Sequence, residues 1–445
     1  MTAEIAILNK AAVALAADSA VTVDSGHNQS KVYNSTNKLF ALSKHAPVGV
    51  MIFGSAEFLD VPWETIIKSY RFKLGPKTFG QISEYAADFV EYLSKNEKLF
   101  TEKQQENAFG RKTVAFFMDI LEALDSDVRT QQGRKGTITE HEIARIVSKH
   151  IRLAHLSLAK MDDLASVSHV SKAILMKKYG ELIAKARDSV FQRLPVSPSA
   201  ERQISSIAAN LFLKSYFGFD SSGVVVIGFG EDEYYPAMSR IRVDAVFEEH
   251  LRHSIDHQAV SIDLPAIIHP FAQHEMVFTF MEGVNDEYQR FVEEQVAEML
   301  VDYNKLIAKH LPGKLSRSRR ESVQQELNKA VPATIGHLKN ELHHYRRCYH
   351  IDPVLDAVEV LPAPELAVMA ESLVHLTSLK RRMSLDAETV GGPIDVAVIS
   401  KGDGFVWIKR KHYFVAELNH QFFATYYTAG NAVNHEECQD GQREA

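Results

Sequence analysis

Cysteine is almost absent from this chain, whose 445 residues include only Cys348 and Cys438. Two cysteines so far apart do not indicate a disulfide framework, so the composition predicts a reducing, cytoplasmic compartment. Long apolar runs are also lacking, and we expect no membrane-spanning helix and no membrane partner. The stretch AAVALAA after Lys10 resembles a short secretory signal. However, the preceding stretch TAEIAILN contains the acidic Glu4, alternates like a strand and lacks the basic residues that begin a secretory signal. These features favour a strand.

A concentrated basic surface is missing as well. The net charge is -7 and the basic residues are dispersed, which argues against nucleic acid as a partner. The densest basic run, Lys314 to Arg320, follows Pro312-Gly313 and is predicted to be a solvated loop. The chain has no glycine-rich loop for a phosphate group, and we expect no cofactor. His343, His344, Cys348 and His350 do not have a zinc-site spacing, so they are predicted to be surface residues rather than metal ligands.

The pattern of apolar residues indicates strands, two helices, strands, two helices and closing strands. Strands are predicted at 4–8, 13–17, 38–42, 48–53, 223–230, 239–247, 394–399 and 404–408. Helices are predicted from about 62 to 70, and at 82–93, 286–310, 321–344 and 364–382. Thr139-Glu140-His141-Glu142 has the form of a capping box that opens another helix. This order is typical of an α+β protein with two sheets between helical layers.

The segments of the expected fold alternate with helical insertions. We divide the chain into 1–98 (first part of the sandwich), 99–216 (helical insertion), 217–310 (sandwich continued), 311–360 (helical or loop insertion), 361–430 (closing helix and strands) and 431–445 (flexible polar tail). The two insertions are charged and almost free of strand signals.

Thr2 follows the initiator methionine, and its small side chain should permit removal of Met1. A threonine hydroxyl is a poor nucleophile unless a base takes its proton. A free α-amine has a reference pKa of about 7.7–8.0, so an N-terminal threonine carries its own base. By itself a Met-Thr start is common and indicates little.

The residues that follow Thr2 strengthen the interpretation of Thr2 as a nucleophile. TAEIAILNKAAVALAADS combines a candidate nucleophile, a strand, a tight turn and a strand that ends in Ala-Ala-Asp. Asn37-Lys38-Leu39-Phe40, VMIFGSAE at 50–57, VVVIGFGEDEYYP at 224–236 and VGGPIDVAVISKGDG at 390–404 follow in order. Together these motifs resemble the proteasome β-subunits and their bacterial relatives, which are N-terminal-nucleophile (Ntn) hydrolases. The resemblance covers roughly 1–95, 222–300 and 365–411.

The resemblance implies a four-layer αββα sandwich and threonine-type peptidase or amidohydrolase chemistry through an acyl-enzyme. Thr2 would be the nucleophile, and Lys38, paired with Asp18, would lower the pKa of the α-amine. The backbone N–H of Gly54 would stabilise the oxyanion, and Asp386 would anchor the terminal amine. The implied partners are a polypeptide substrate, further copies in a homo-oligomer such as a ring, and an unfoldase or adaptor.

Several positions depart from the family pattern. Ala20 stands where a long polar residue is usual, and 270–274 replaces a Gly/Ser turn. Val390 stands where serine is expected before Gly-Gly, and Asp386 fits only with one inserted residue. Two alternatives therefore stay open: a catalytically inactive scaffold of the same fold, and an Ntn amidase that acts on a small non-peptide amide.

Overall fold

The computed structural model describes residues 3–24, 30–96, 98–218, 221–247, 250–311, 316–383, 390–412 and 414–421. The chain forms two compact units, which cut across the segments expected from sequence. The first unit takes in the described parts of 1–35, 260–400 and 406–413. The second takes in the described parts of 36–259, 401–405 and 414–421.

Fourteen strands are found among the described residues. They are β1 (Glu4–Asn9), β2 (Ala12–Ala17), β3 (Val21–Asp24), β4 (Ser30–Tyr33), β5 (Leu39–Ala41), β6 (Val48–Gly54), β7 (Glu57–Phe58), β8 (Val61–Pro62), β9 (Ser222–Gly228), β10 (Ala237–Phe247), β11 (His250–Ala259), β12 (Ala266–Pro270), β13 (Asp395–Ser400) and β14 (Gly404–Lys409). All eight strands expected from sequence are present, with ends that differ by one or two residues.

Eleven α-helices are described. They are α1 (Trp63–Leu74), α2 (Ile82–Ser94), α3 (Glu102–Lys135), α4 (Glu140–Ala159), α5 (Lys172–Phe191), α6 (Pro198–Leu213), α7 (Glu275–Glu282), α8 (Asp286–His310), α9 (Arg317–Arg346), α10 (Asp352–Val360) and α11 (Ala363–Met383). The bounds predicted for α8 are confirmed at both ends, and those for α2 and α11 to within a residue. None of the described helices is both long enough and apolar enough to cross a bilayer.

The first unit is built on a five-stranded sheet in the order β12-β1-β2-β13-β14. β1, β2, β12 and β13 pair antiparallel, and a row of partners crosses the sheet through Ile5, Ala16 and Val396. These side chains lie in one apolar core with α11, whose Leu366, Ala370 and Leu373 are buried there. The small alanines of β2 allow the helix to approach the sheet closely.

The second unit contains another five-stranded antiparallel sheet, in the order β11-β10-β9-β6-β5. Alternate residues of β6 and β9, such as Val50 and Val226, share an apolar core with α1 and α2. Trp63 and Tyr85 are fully buried in that core. The α+β class expected from sequence is therefore confirmed, with helices packed on one face of each sheet.

The opposite face of each sheet is buried too. In the first sheet Ala6, Leu15 and Ala397 form a cross-strand row that is 0% exposed. In the second sheet Met51 and Val225 are register partners and are also 0% exposed. Strands buried on both faces explain why these segments read as nearly continuous apolar runs rather than as an alternation.

Residues 102–213 contribute α3 to α6, which pack on each other around one apolar core. Ala245 and Phe247 of β10 belong to the same core, so these helices are attached to the second sheet. The capping box at the start of α4 is confirmed: Glu142 N–H donates to Thr139 Oγ1 at 3.3 Å, and Thr139 N–H donates to Glu142 Oε2 at 3.0 Å. The ion pair with Lys135 and the Thr139 hydrogen bonds lower the pKa of Glu142 to about 2.

A buried ionic cluster joins α3 to β10 and β11. Asp244 lies at a register shift in β10, and its carboxylate accepts from Arg252 and pairs with Lys112 of α3. The Arg252 guanidinium also donates to the carbonyl oxygens of Phe212, Lys214 and Tyr216. Two cations beside one carboxylate are tolerated at this depth because backbone oxygens share the positive charge.

The helices α8 and α9 form a hairpin in the first unit. Asn304 Nδ2 donates to Asn328 Oδ1 at 3.0 Å, and Lys339 Nζ lies 2.8 Å from Glu293 Oε2. Most other side chains of the hairpin are partly or fully exposed, which agrees with the polar composition of the segment.

The sequence reading missed some elements, and one expectation needs correction. Among the strands of the two large sheets, β11 and β12 were not predicted, and in β11 the polar residues His250, Arg252, His253, Asp256 and His257 hide the strand character. The basic run up to Arg320 is not a loop throughout: α9 begins at Arg317 with Ser316 as its N-cap, and 312–315 lie outside the described residues.

The Asp244 cluster generates the first prediction. Asp244→Asn removes the carboxylate charge that pairs with both Lys112 and Arg252 in this buried cluster, so we expect the free energy of unfolding in urea to fall by about 3–5 kcal/mol. The matched control is Asp125→Asn, which breaks the exposed pair with Arg129 and should cost at most about 1 kcal/mol. Equal effects of the two substitutions would contradict the role given to Asp244.

Candidate functional site

Asp18 is the buried carboxylate at the end of β2. It is 1% exposed, and its two oxygens accept backbone hydrogen bonds from two distant parts of the chain. Oδ1 accepts from Ala3 N–H at 3.0 Å, and Oδ2 accepts from Gly391 N–H at 3.0 Å and from Ala20 N–H at 3.4 Å. Such donors stabilise an ionised carboxylate out of water.

The β1–β2 hairpin brings Asp18 to the start of β1. Asn9 forms the turn: its Oδ1 accepts from the N–H groups of Ala11 and Ala12 at 3.0 and 3.1 Å. The resulting register pairs Glu4 with Ala17. Asp18 N–H then donates to Ala3 O at 3.0 Å, so both the N–H and the C=O of residue 3 are hydrogen-bonded to Asp18. An asparagine in this turn fixes the register because its side chain replaces backbone partners.

The loop before β13 closes over the same corner. Ser19 N–H donates to Gly391 O at 3.2 Å, and Ser19 Oγ donates to Pro393 O at 2.5 Å. Gly392 has φ of +78°, and a Cβ there would lie 2.8 Å from Asn34 Cβ. A side chain at Gly392 would therefore be both strained and crowded. The second glycine of the VGG motif therefore lets the closing loop turn beside Asn34.

Lys38 and Gly54 belong to the second unit. Lys38 immediately precedes β5, is 3% exposed, and its carbonyl accepts from Ile52 N–H at 2.9 Å. Gly54 ends β6 with φ of +80°, and a Cβ there would lie 2.6 Å from Ser221 O. Glycine is therefore required at 54 by its conformation and by its surroundings.

Two of the predicted site residues, Thr2 and Asp386, lie outside the described residues. Of the other three, the structure puts Asp18 directly beside residue 3 and beside the closing loop. The Gly391 N–H was not predicted as a partner of Asp18, because sequence reasoning considered side chains and this contact is made by the backbone.

Sequence reasoning also missed two buried acids near Asp18. Glu4 and Asp395 are each 2% exposed, and both are register partners of Ala17, on either side of it. Lys411 N–H donates to Asp395 Oδ1 at 2.8 Å, and its ammonium pairs with the same carboxylate. The signal in the sequence was the acid at the start of each apolar strand, Glu4 in EIAIL and Asp395 in DVAVI.

The histidine and cysteine residues near the end of α9 are exposed. Cys348 Sγ lies 3.7 Å from His344 Nε2 within one helical turn. Within the described ranges no group of three or more His, Cys, Asp or Glu residues could hold a metal ion. Cys438 lies outside those ranges.

No family model matches this chain, and no curated protein matches it.

The site geometry generates the second prediction. Asp18→Ala removes the acceptor for the N–H groups of Ala3 and Gly391, and each buried donor left unsatisfied costs about 1–3 kcal/mol. We expect the free energy of unfolding to fall by about 3 kcal/mol, measured by urea denaturation. Asp263→Ala, at an exposed aspartate of the same unit, should change it by less than about 0.5 kcal/mol. Similar losses in the two variants would contradict this account of Asp18.

Proposed function

We propose that the chain is an Ntn hydrolase of the proteasome-like kind, a threonine-type peptidase whose nucleophile is Thr2 after removal of Met1. The α-amine of Thr2 takes the hydroxyl proton while Oγ attacks the substrate carbonyl carbon. The amide C–N bond breaks, the leaving amine takes the proton, and an ester links the acyl group to Thr2. Water then hydrolyses the ester and regenerates the free threonine.

One observation carries the proposal: the Asp18 carboxylate accepts the N–H of Ala3, the residue that follows the nucleophile. A terminal amine can act as a base only if its position relative to the substrate is fixed. Chain ends are commonly mobile unless other groups bind them. Here the peptide of residue 3 is bound through both N–H and C=O, and the acid that binds it also holds the closing loop at Gly391.

The other roles follow the family resemblance. Lys38 is buried, and the resemblance assigns Asp18 as the partner of its ammonium. The ammonium would lower the pKa of the α-amine and so favour its free-base form at neutral pH. Gly54 has the conformation and the exposure expected of a backbone oxyanion donor at a strand end. Asp386 is assigned to the terminal amine by resemblance alone.

The fold that we propose is the four-layer αββα sandwich. Each sheet packs its own helices on one face, yet its opposite face is also fully buried at residues such as Leu15 and Met51. Burial on both faces is what a sheet in the interior of a layered sandwich requires. We further propose a cytoplasmic homo-oligomer, such as a ring, that takes an unfolded polypeptide as substrate from an unfoldase or adaptor.

The test is covalent labelling of the nucleophile. Purified full-length protein is incubated with a threonine-reactive peptide epoxyketone, and the intact mass and the N-terminal peptide are measured by mass spectrometry. We expect loss of Met1 and a single adduct on Thr2. The adduct requires both the amine and the hydroxyl, so Thr2→Ala should abolish it, whereas Thr22→Ala, in the same unit, should leave it unchanged.

Other outcomes favour the alternatives. Retention of Met1 with no adduct would contradict the proposal and support an inactive scaffold of the same fold. An adduct without hydrolysis of any peptide in a substrate panel, but with hydrolysis of small amides, would place the enzyme among the non-peptide Ntn amidases.

A further inference from the structure

Helix α8 exposes a row of large apolar side chains on its outer face. With Gln295 they form the outer stripe of α8: Tyr288, Phe291, Gln295, Met299, Tyr303 and Leu306. The five apolar members are between 53% and 67% exposed. The stripe lies on the side of α8 away from α9, because Glu293 and Asn304, which contact α9, lie on the opposite side of the helix. Single exposed apolar residues are ordinary, but a row about 27 Å long indicates an interaction surface.

The spacing along the outer stripe is the same in both directions. Successive members are 3, 4, 4, 4 and 3 residues apart. Two antiparallel copies of α8 that cross at the level of Ala297 therefore bring every member of one stripe level with a member of the other. The pairs across such an interface are Tyr288 with Leu306, Phe291 with Tyr303, and Gln295 with Met299. A surface that fits a second copy of itself in this way produces a two-fold interface.

The charged residues beside the outer stripe favour the antiparallel orientation at its ends. Glu287 precedes the stripe, Lys309 follows it, and helical geometry puts both exposed side chains on one flank. Equal flanks face each other in an antiparallel two-fold pair. Glu287 of one copy then lies about two residues, or roughly 3 Å along the axis, from the level of Lys309 in the other. A parallel pair would instead put acid level with acid and lysine level with lysine.

Two other groups on the same flank have different effects. Lys305 is paired with Asp302 of its own helix at 2.7 Å. Glu294 and Glu298 lie near the centre of the flank, where the acids of the two copies face each other and weaken the pair. The attraction therefore comes from the apolar stripe and from the two ends of the helix.

The outer stripe is large enough for a reversible dimer. A Phe or Tyr side chain has about 150–250 Å² of surface, and more than half of it is exposed in each of the three aromatic members. With comparable contributions from Met299 and Leu306, two copies would together bury roughly 1,000 Å², which is the lower limit for a specific interface.

We propose that the outer stripe of α8 is a docking surface for a second copy of this chain, which binds through its own α8 in the antiparallel orientation. The two stripes bury each other, and Glu287 pairs with Lys309 of the other copy at both ends. The inference does not rest on the proposed reaction, because no residue of the candidate functional site takes part. A two-fold contact closes on itself, so this surface produces a dimer, and a larger assembly would need another surface as well.

Sedimentation equilibrium of the purified full chain over a range of concentrations measures the dissociation constant of the dimer. Met299→Lys puts a charge in the middle of the stripe and should raise that constant at least about tenfold. Met118→Lys makes the same change on α3, at a side chain that is 50% exposed, and should leave the constant unchanged. Circular dichroism checks that both variants fold. A chain that stays monomeric, or a dimer that a folded Met299→Lys variant does not weaken, would overturn the inference.

Exchange of the end charges tests the orientation. Glu287→Lys brings lysines together at both ends of the pair, and Lys309→Glu brings glutamates together, so each variant should weaken its own dimer several-fold. An equimolar mixture, with an affinity tag on one variant, should form mainly the mixed dimer, since each end then pairs a lysine with a glutamate. Glu298→Lys removes the central repulsion and should tighten the dimer.

Mixed and unmixed dimers in statistical proportion would contradict the antiparallel orientation. Epoxyketone labelling of Thr2 is independent of these outcomes, because it tests the reaction and not the α8 surface. Failure of the dimer and failure of the proposed function are therefore distinguishable.

Discussion

The arrangement at the start of the first sheet depends on one buried carboxylate. Asp18 has little contact with water, so its charge must be stabilised by donors within the protein. Those donors are backbone N–H groups of Ala3, Ala20 and Gly391, which belong to the beginning of β1, the end of β2 and the loop that enters β13. Ala3 and Ala20 flank one hairpin, whereas Gly391 is 373 residues from Asp18, yet all three donate to this one carboxylate. Loss of that carboxylate would remove the acceptor that the N–H groups of Ala3 and Gly391 have in this structure.

The packing of β2 on both faces leaves little room for another strand register. Ala14 and Ala16 of β2 face α11, while Val13 and Leu15 face the opposite side, and all four are fully buried. A shift of the register by one residue would exchange the two faces and bring side chains of different size against the helix. The polar groups at the strand ends are therefore held in place by the packing of the apolar centre. Burial of Glu4 and Asp395 on either side of Ala17 is a consequence of that register.

Much of this could be predicted from the sequence, and the failures have physical reasons. The helix α8 has clear boundaries because Asn285 caps its start and its apolar residues have helical spacing. The strand β11 could not be predicted, because a polar residue such as Arg252 reads as exposed in the sequence. It is buried only because it pairs with Asp244 of β10, which also pairs with Lys112 of α3. Asp18 could be singled out only because its motif resembles the start of the proteasome β-subunits. Its partner Gly391 could not, since a backbone donor 373 residues away leaves no side-chain signal.

The departure at Val390 can also be understood from its surroundings. Val390 is fully buried in the apolar core beneath the first sheet, with α11. A hydroxyl there would have to be buried with it and would weaken that core. The contacts that the closing loop makes with Asp18 and Ser19 use the backbone of Gly391, so they do not require a serine at 390. In the proposed site, a valine at 390 therefore leaves the hydrogen bonds of Gly391 with Asp18 and Ser19 intact.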